Sequence, residues 1–111
     1  GGYRTDPEWV AQAKAERATW NTYVARNTGP RNGLPTYAQA IGIVNARMTP
    51  QDRVVTAAGG LPAEVTANWK TLGIGTVDVE FGFSCMGYEI AGGWGARIAQ
   101  AETNPDAETV V

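Results

Sequence analysis

Apolar positions along this chain fall into two periods. In PEWVAQAKAERATWNTYVAR, residues 7 to 26, Trp9, Ala13, Trp20 and Val24 recur near the helical period, with Lys14 and Arg17 away from the centre of that face. Asp6 can cap this helix and Pro7 suits its first position. The turn-forming run NTGPRNGLP, residues 27 to 35, ends it. A second helix is predicted from PTYAQAIGIVNARM, where Thr36 and Gln39 have capping-box spacing and Tyr37, Ile41, Val44 and Met48 follow at helical intervals. RVVTAAGG, from Arg53, is a short β-branched run that reads as a buried strand. Pro62 opens a short helix with Val65 and Trp69 facing inward. TVDVEFGF, residues 76 to 83, alternates strictly: Val77, Val79, Phe81 and Phe83 lie on one side, Asp78 and Glu80 on the other. That is the period of a strand. A helix over residues 86 to 101 follows, and ETVV at 108 to 111 opens a third strand.

Helices and strands in alternation predict an α/β fold, a partial parallel sheet with flanking helices. The turn after residue 26 separates an arm, 1–33, from a compact unit, 34–111. Because Val110-Val111 begin an apolar strand without finishing it, the sequence is expected to be a fragment of a longer chain. Ligands of open parallel sheets bind beyond the carboxyl ends of the strands, and two loops stand there. The first is Ala57-Ala58-Gly59-Gly60-Leu61. Its adjacent glycines let the backbone approach a ligand, and the next helix adds its positive end, although a plain strand-to-helix turn uses the same residues. Neither GxGxxG nor GxxxxGK[ST] is present, so dinucleotide and P-loop binding have no support. The second loop is Ser84-Cys85-Met86-Gly87, and the helix after it carries Gly92, Gly93 and Gly95. Each glycine costs a helix about 1 kcal/mol relative to alanine. Close packing of that helix on the sheet accounts for all three. Gly87, Ala91, Gly95 and Ala99 make a smooth stripe at four-residue spacing, along which a neighbouring backbone can approach. On pattern alone Met86 reads as core filler.

Composition narrows the chemistry. A chain of 111 residues with 43% hydrophobic and 18% charged residues is an ordinary globular domain. A net charge of −2 offers no basic field for nucleic acid. No run reaches the roughly 18 apolar residues of a membrane span, and the opening GGYRTDPEW lacks a signal core. Neither a membrane nor a nucleic-acid partner is expected, and a cytoplasmic location is the default. The absence of histidine removes Ser–His and Cys–His nucleophile pairs and HExxH zinc chemistry. The single cysteine, Cys85, cannot form an intrachain disulfide or a thiolate metal cage, and is expected to be a small buried hydrophobe. Chemistry must come from carboxylates, backbone groups or a bound cofactor. Four tryptophans (Trp9, Trp20, Trp69 and Trp94) keep a second reading open: a stand-alone α/β interaction or small-ligand-binding module without catalysis.

AAGGLPAEVTANWK followed by VEFGFSCMGYEIAGGWGARIA resembles the thiamine-diphosphate enzyme family. Within it, the likeness is to the C–C bond hydrolases that open a cyclic dione ring in myo-inositol catabolism. The resemblance covers residues 34–111 and is densest in SCMGYEIAGG, while residues 7–26 resemble the linker helix before the diphosphate-binding domain. It implies that 1–33 is a linker helix and turn, and that 34–111 is the amino-terminal part of a truncated diphosphate-binding (PP-type) domain. It implies thiamine diphosphate and magnesium as cofactors of the complete enzyme. Met86 matches the apolar side chain that wedges between the two coenzyme rings and holds them bent. Ser84 would offer its backbone carbonyl to the pyrimidine amino group, and the Met86 amide would bond a ring nitrogen, with Gly87 beside it. Gly59 and Gly60 would lie near the cofactor, and Leu61 would wall the substrate side. The partners implied are a small-molecule cyclic dione, the remaining domains of the parent enzyme, and further copies in a homo-oligomer. The Gly-Asp-Gly metal motif and the activating glutamate of the family lie outside this chain. No catalytic residue or metal ligand is therefore expected within it, and the isolated chain is expected to be inactive. Glu64, Glu80 and Glu89 are not candidates for the activating carboxylate. Glu80 alternates onto the polar face of its strand, expected solvated or salt-bridged, and Glu89 complements the dipole of its helix.

Overall fold

A computed structural model describes residues 2–111. Four helices, α1 (Pro7–Thr28), α2 (Tyr37–Asn45), α3 (Gly60–Asn68) and α4 (Tyr88–Thr103), alternate from α2 onward with β1 (Arg53–Thr56), β2 (Val77–Val79) and β3 (Thr109–Val110). The strands form one parallel sheet in the order β2-β1-β3, with Val54 opposite Val77 and Arg53 opposite Thr109. The fold is therefore α/β, with a three-stranded parallel sheet and flanking helices. Among the described residues, no helix is long and apolar enough to cross a membrane.

β1 is central and its side chains alternate between two covered faces. Val54 packs with Ile41 of α2 and Val65 of α3, joined by the partly buried Trp69 and Val77. Val55, fully buried, faces Gly93 of α4 on the other side. A side chain at Gly93 would collide with Val111 Cγ1, so this glycine lets α4 lie close to the sheet. Gly92 has a different cause: the Tyr88 ring folds over it, where a Cβ would meet the ring at 3.0 Å. Nothing lies within 4 Å of a Cβ at Gly95, so sheet packing does not explain that residue. The stripe Gly87, Ala91, Gly95 and Ala99 is exposed throughout. Among the described residues nothing lies within 4 Å of a Cβ at Gly87 or Gly95.

The first two predicted helix starts hold, whereas α3 starts at Gly60 rather than Pro62 and α4 at Tyr88 rather than residue 86. The Asp6 carboxylate accepts the Glu8 amide, and Thr36 and Gln39 form the reciprocal capping box. Two predicted faces do not. On α2 the buried positions are Ala38, Ile41 and Asn45, whereas Tyr37 is 64% exposed. The face is rotated because α1 packs along it, bringing Thr28 against Gly42, and because Asn45 bonds both backbone groups of Lys70. On α1 only Val24 is buried, and Trp9 and Trp20 are exposed. The strand predicted to reach residue 83 stops at Val79, leaving Phe81 and Phe83 exposed.

At the amino ends of the strands Asp52 acts as a staple. Its carboxylate accepts the amides of Thr49 at 2.6 Å and Glu108 at 2.7 Å, tying the entrances of β1 and β3 together. Those bonds, Glu108 first, hold its carboxyl below the usual aspartate range.

Candidate functional site

The order β2-β1-β3 places the loops after β1 and β2 side by side at the carboxyl end of the sheet. The Glu80 amide donates to the Thr56 carbonyl at 3.0 Å, the last ladder bond before both loops leave the sheet.

The first loop is shorter than expected. α3 begins at Gly60, so Gly60 and Leu61 belong to the first turn of the helix and only Ala57 to Gly59 form the connection. Gly59 is the helix cap at φ 136°, ψ −177°, a conformation essentially closed to side chains. A Cβ at Gly60 would meet nothing within 4 Å, so its backbone is open to solvent. Leu61 is half exposed and lines an apolar cleft of about 430 Å³ with Val44, Thr56, Trp69, Glu89 and Val111. Of the six predicted site residues, Leu61 is the one that lines this cleft. Sequence reading named Val44 and Trp69 as inward-facing and Glu89 as a partner of its helix dipole, but not as neighbours of one cleft, because they come from separate stretches of chain.

The second loop, residues 81 to 87, is exposed throughout. Ser84 has φ 55°, the left-handed region that only glycine enters freely. Its carbonyl accepts the Met86 amide at 3.0 Å, closing a three-residue turn. Met86 is 82% exposed, which removes the reading of it as core filler. Gly87 caps α4 at φ 97°, and its amide donates to Glu89 Oε2 at 3.0 Å. Cys85, expected to be buried, is exposed. The loop turns outward before its side chain can reach the core, and the charge of Glu80 raises its thiol above the usual range.

Glu80, expected to be solvated or salt-bridged, lies at the surface and has no salt-bridge partner among the described residues. Instead it accepts the amides of Phe83 at 3.0 Å and Cys85 at 2.9 Å, which ends β2 and bends the chain. These two bonds lower its carboxyl below the ordinary glutamate value. Tyr88 then fastens α4 to the strand through its hydroxyl, which donates to Asp78 Oδ2 at 3.2 Å and is raised above the usual tyrosine range by that bond.

Chemically, the second loop presents an acceptor, the Ser84 carbonyl, directly beside a donor, the Met86 amide, with an unburied methionine side chain attached. The amides of Phe83, Cys85 and Gly87 are already taken by carboxylates. An anion therefore finds no free donor among these three, and the Ser84 carbonyl and Met86 amide are bonded to each other. Among the described residues no three His, Cys, Asp or Glu side chains gather to hold a metal ion.

Comparison with known proteins finds relatives of the chain. The chain is 37% identical over 67 residues to 3D-(3,5/4)-trihydroxycyclohexane-1,2-dione hydrolase of Clostridium botulinum (strain Alaska E43 / Type E3), covering 60% of the chain and 10% of the relative. It is 40% identical over 70 residues to the protein of the same name from Clostridium perfringens (strain 13 / Type A), covering 63% and 11%. To the protein of that name from Bacillus thuringiensis (strain Al Hakam) it is 38% identical over 65 residues, covering 59% and 10%. The chain thus spans about one tenth of the length of the curated relatives it matches. No family model matches it, and no solved structure matches it. The chain is similar to a segment of the trihydroxycyclohexane-1,2-dione hydrolases, the group toward which its second loop pointed.

Proposed function

We propose that the chain is part of a thiamine-diphosphate-dependent hydrolase that cleaves a C–C bond and opens a trihydroxycyclohexane-1,2-dione ring. The observation that carries this reading is the adjacent Ser84 carbonyl and Met86 amide on a loop whose methionine side chain is exposed. Thiamine diphosphate, when bound, supplies a thiazolium ring that stabilises a carbanion. The chain's own residues bind and orient. The Ser84 carbonyl and the Met86 amide, bonded to each other here, would hold the pyrimidine edge. The Met86 side chain would pack against the rings, and Gly59 and Gly60 would leave room for close approach of backbone. Gly87 sets the left-handed cap from which α4 starts, and Leu61 walls the apolar cleft beside them. The two loops suit the rings better than the diphosphate, because Glu80 and Glu89 place negative charge there. The magnesium ligands, the activating glutamate and the other subunits of a homo-oligomer are assigned to parts of the parent enzyme outside this chain, which leaves the chain inactive alone. Leu61 would wall the side where the cyclic dione binds.

Met86→Ala in the full-length enzyme tests the reading. Turnover should fall on the order of 10²-fold, because loss of the wedge misplaces the reacting groups. Unchanged turnover would remove Met86 from the site. A non-catalytic interaction module is the second reading, favoured by the exposed row Ile90, Trp94 and Ile98 on α4. The gene separates the two: a reading frame that runs past Val111 into a Gly-Asp-Gly sequence supports the hydrolase, and a stop codon there supports the module.

A further inference from the structure

Ser84 holds a strained backbone on a fully exposed loop, where no packing enforces it. Left-handed φ costs an ordinary residue about 1 kcal/mol or more, and such residues persist only where their surroundings over-determine them. The groups that do so here are the amides on either side of Ser84, at Phe83 and Cys85. Both donate to one carboxylate, that of Glu80, one to each oxygen. Two bonds from one rigid planar group to alternate amides fix the path of the residue between them. The Ser84 amide donates to the Phe81 carbonyl at 3.3 Å, which completes the turn. Glu80 is itself anchored, since its amide is the last rung of the sheet, on Thr56.

We propose that Glu80 is the positioning residue of the second loop: its carboxylate, by holding the amides of Phe83 and Cys85, imposes the turn that carries the Ser84 carbonyl and Met86 outward. It touches no ligand in this role and acts through the backbone of its neighbours. A second consequence is electrostatic. With the Gly87 amide held by Glu89, every second amide from 83 to 87 is closed by a carboxylate. The loop therefore admits a neutral or cationic ring and rejects phosphate. What the loop holds rests on the function proposed above; the role of Glu80 in shaping it does not.

The test uses this chain with Glu80→Gln, which keeps the shape and removes the charge, and Glu80→Ala. Hydrogen exchange at the Phe83 and Cys85 amides should speed up by about tenfold in Glu80→Ala, with Glu80→Gln between it and the parent. Alkylation of Cys85 by iodoacetamide should accelerate roughly threefold or more in both variants, because the carboxylate no longer disfavours the thiolate. The urea midpoint should stay that of the parent. Unchanged exchange and alkylation would overturn the proposal. Loss of the whole fold in both variants would overturn it too, since Glu80 would then serve the sheet and not the loop. In the full-length enzyme, Glu80→Gln should raise the thiamine diphosphate concentration for half-saturation about tenfold while turnover at saturation changes less. A full-length enzyme indifferent to thiamine diphosphate would refute the proposed function and leave the result on the isolated chain standing.

Discussion

Gly93 and Gly95 sit two residues apart in one helix and meet opposite surroundings. A methyl group at 93 runs into Val111 and approaches Val55, whereas one at 95 meets open space. Gly93→Ala should therefore cost about 1–3 kcal/mol through overpacking. Gly95→Ala should add about 1 kcal/mol by helix propensity alone. Urea unfolding of the two variants checks both signs, and equal effects would contradict the placement of α4. Met86→Ala belongs with Gly95 where stability is concerned: an exposed side chain leaves the fold within about 0.5 kcal/mol. Ser84 to Gly87 were legible as a loop because SCMG interrupts an alternating run just before a helix, but the pattern alone put Met86 in the core and the structure exposes it. Glu80 was not legible. Its partners are backbone amides three and five residues ahead, and only the path of the folded loop brings them to the carboxylate.

Elements carried most of the readable signal. Alternating periods gave the order of helices and strands and the parallel sheet, since each period reflects which face of its element is covered. Lengths and faces were harder. The alternation of β2 continues in sequence through Phe83, yet the strand ends where Glu80 begins to bind the loop. The α2 pattern counted Tyr37 and Val44 as inward, but contacts with α1 and the Asn45–Lys70 bonds turned the helix. The staple between β1 and β3 gives a pH dependence. Asp52 has a depressed carboxyl in the folded chain, so its stabilising contribution is present above the unfolded aspartate value and is lost as pH falls through the folded one. Asp52→Ala should lower stability at neutral pH by about 1–2 kcal/mol. It should also flatten the fall in stability on acidification. Urea midpoints measured between neutral pH and the aspartate range decide this, and a parallel fall in parent and variant would contradict it.

The molecule as a whole exposes more surface than its mass warrants. Its accessible area is 8188 Å², against roughly 5,900 Å² for a compact monomer of 11.8 kDa. The excess, roughly 2,300 Å², is well above the roughly 800 Å² that each partner buries in a standard interface. Ile90, Trp94 and Ile98 contribute to it from α4. Sedimentation should give a weight-average mass above the monomer that rises with concentration, and Trp94→Glu should return it toward 11.8 kDa. A strictly monomeric chain would contradict this. Calorimetry with thiamine diphosphate and magnesium should show at most weak heat, because carboxylates hold the loop amides and no cluster for a metal is present among the described residues. Nanomolar binding would contradict that account. The long α1 reaches the body of the protein partly through the Trp20 indole, which donates to the Ala67 carbonyl at 3.1 Å while its ring lies 5.0 Å from that of Tyr23. That tether makes the arm optically visible: detachment of the first helix would change the surroundings of Trp20 and of Trp69, which lines the same crevice, while the sheet stayed intact, so light can follow its release separately from unfolding.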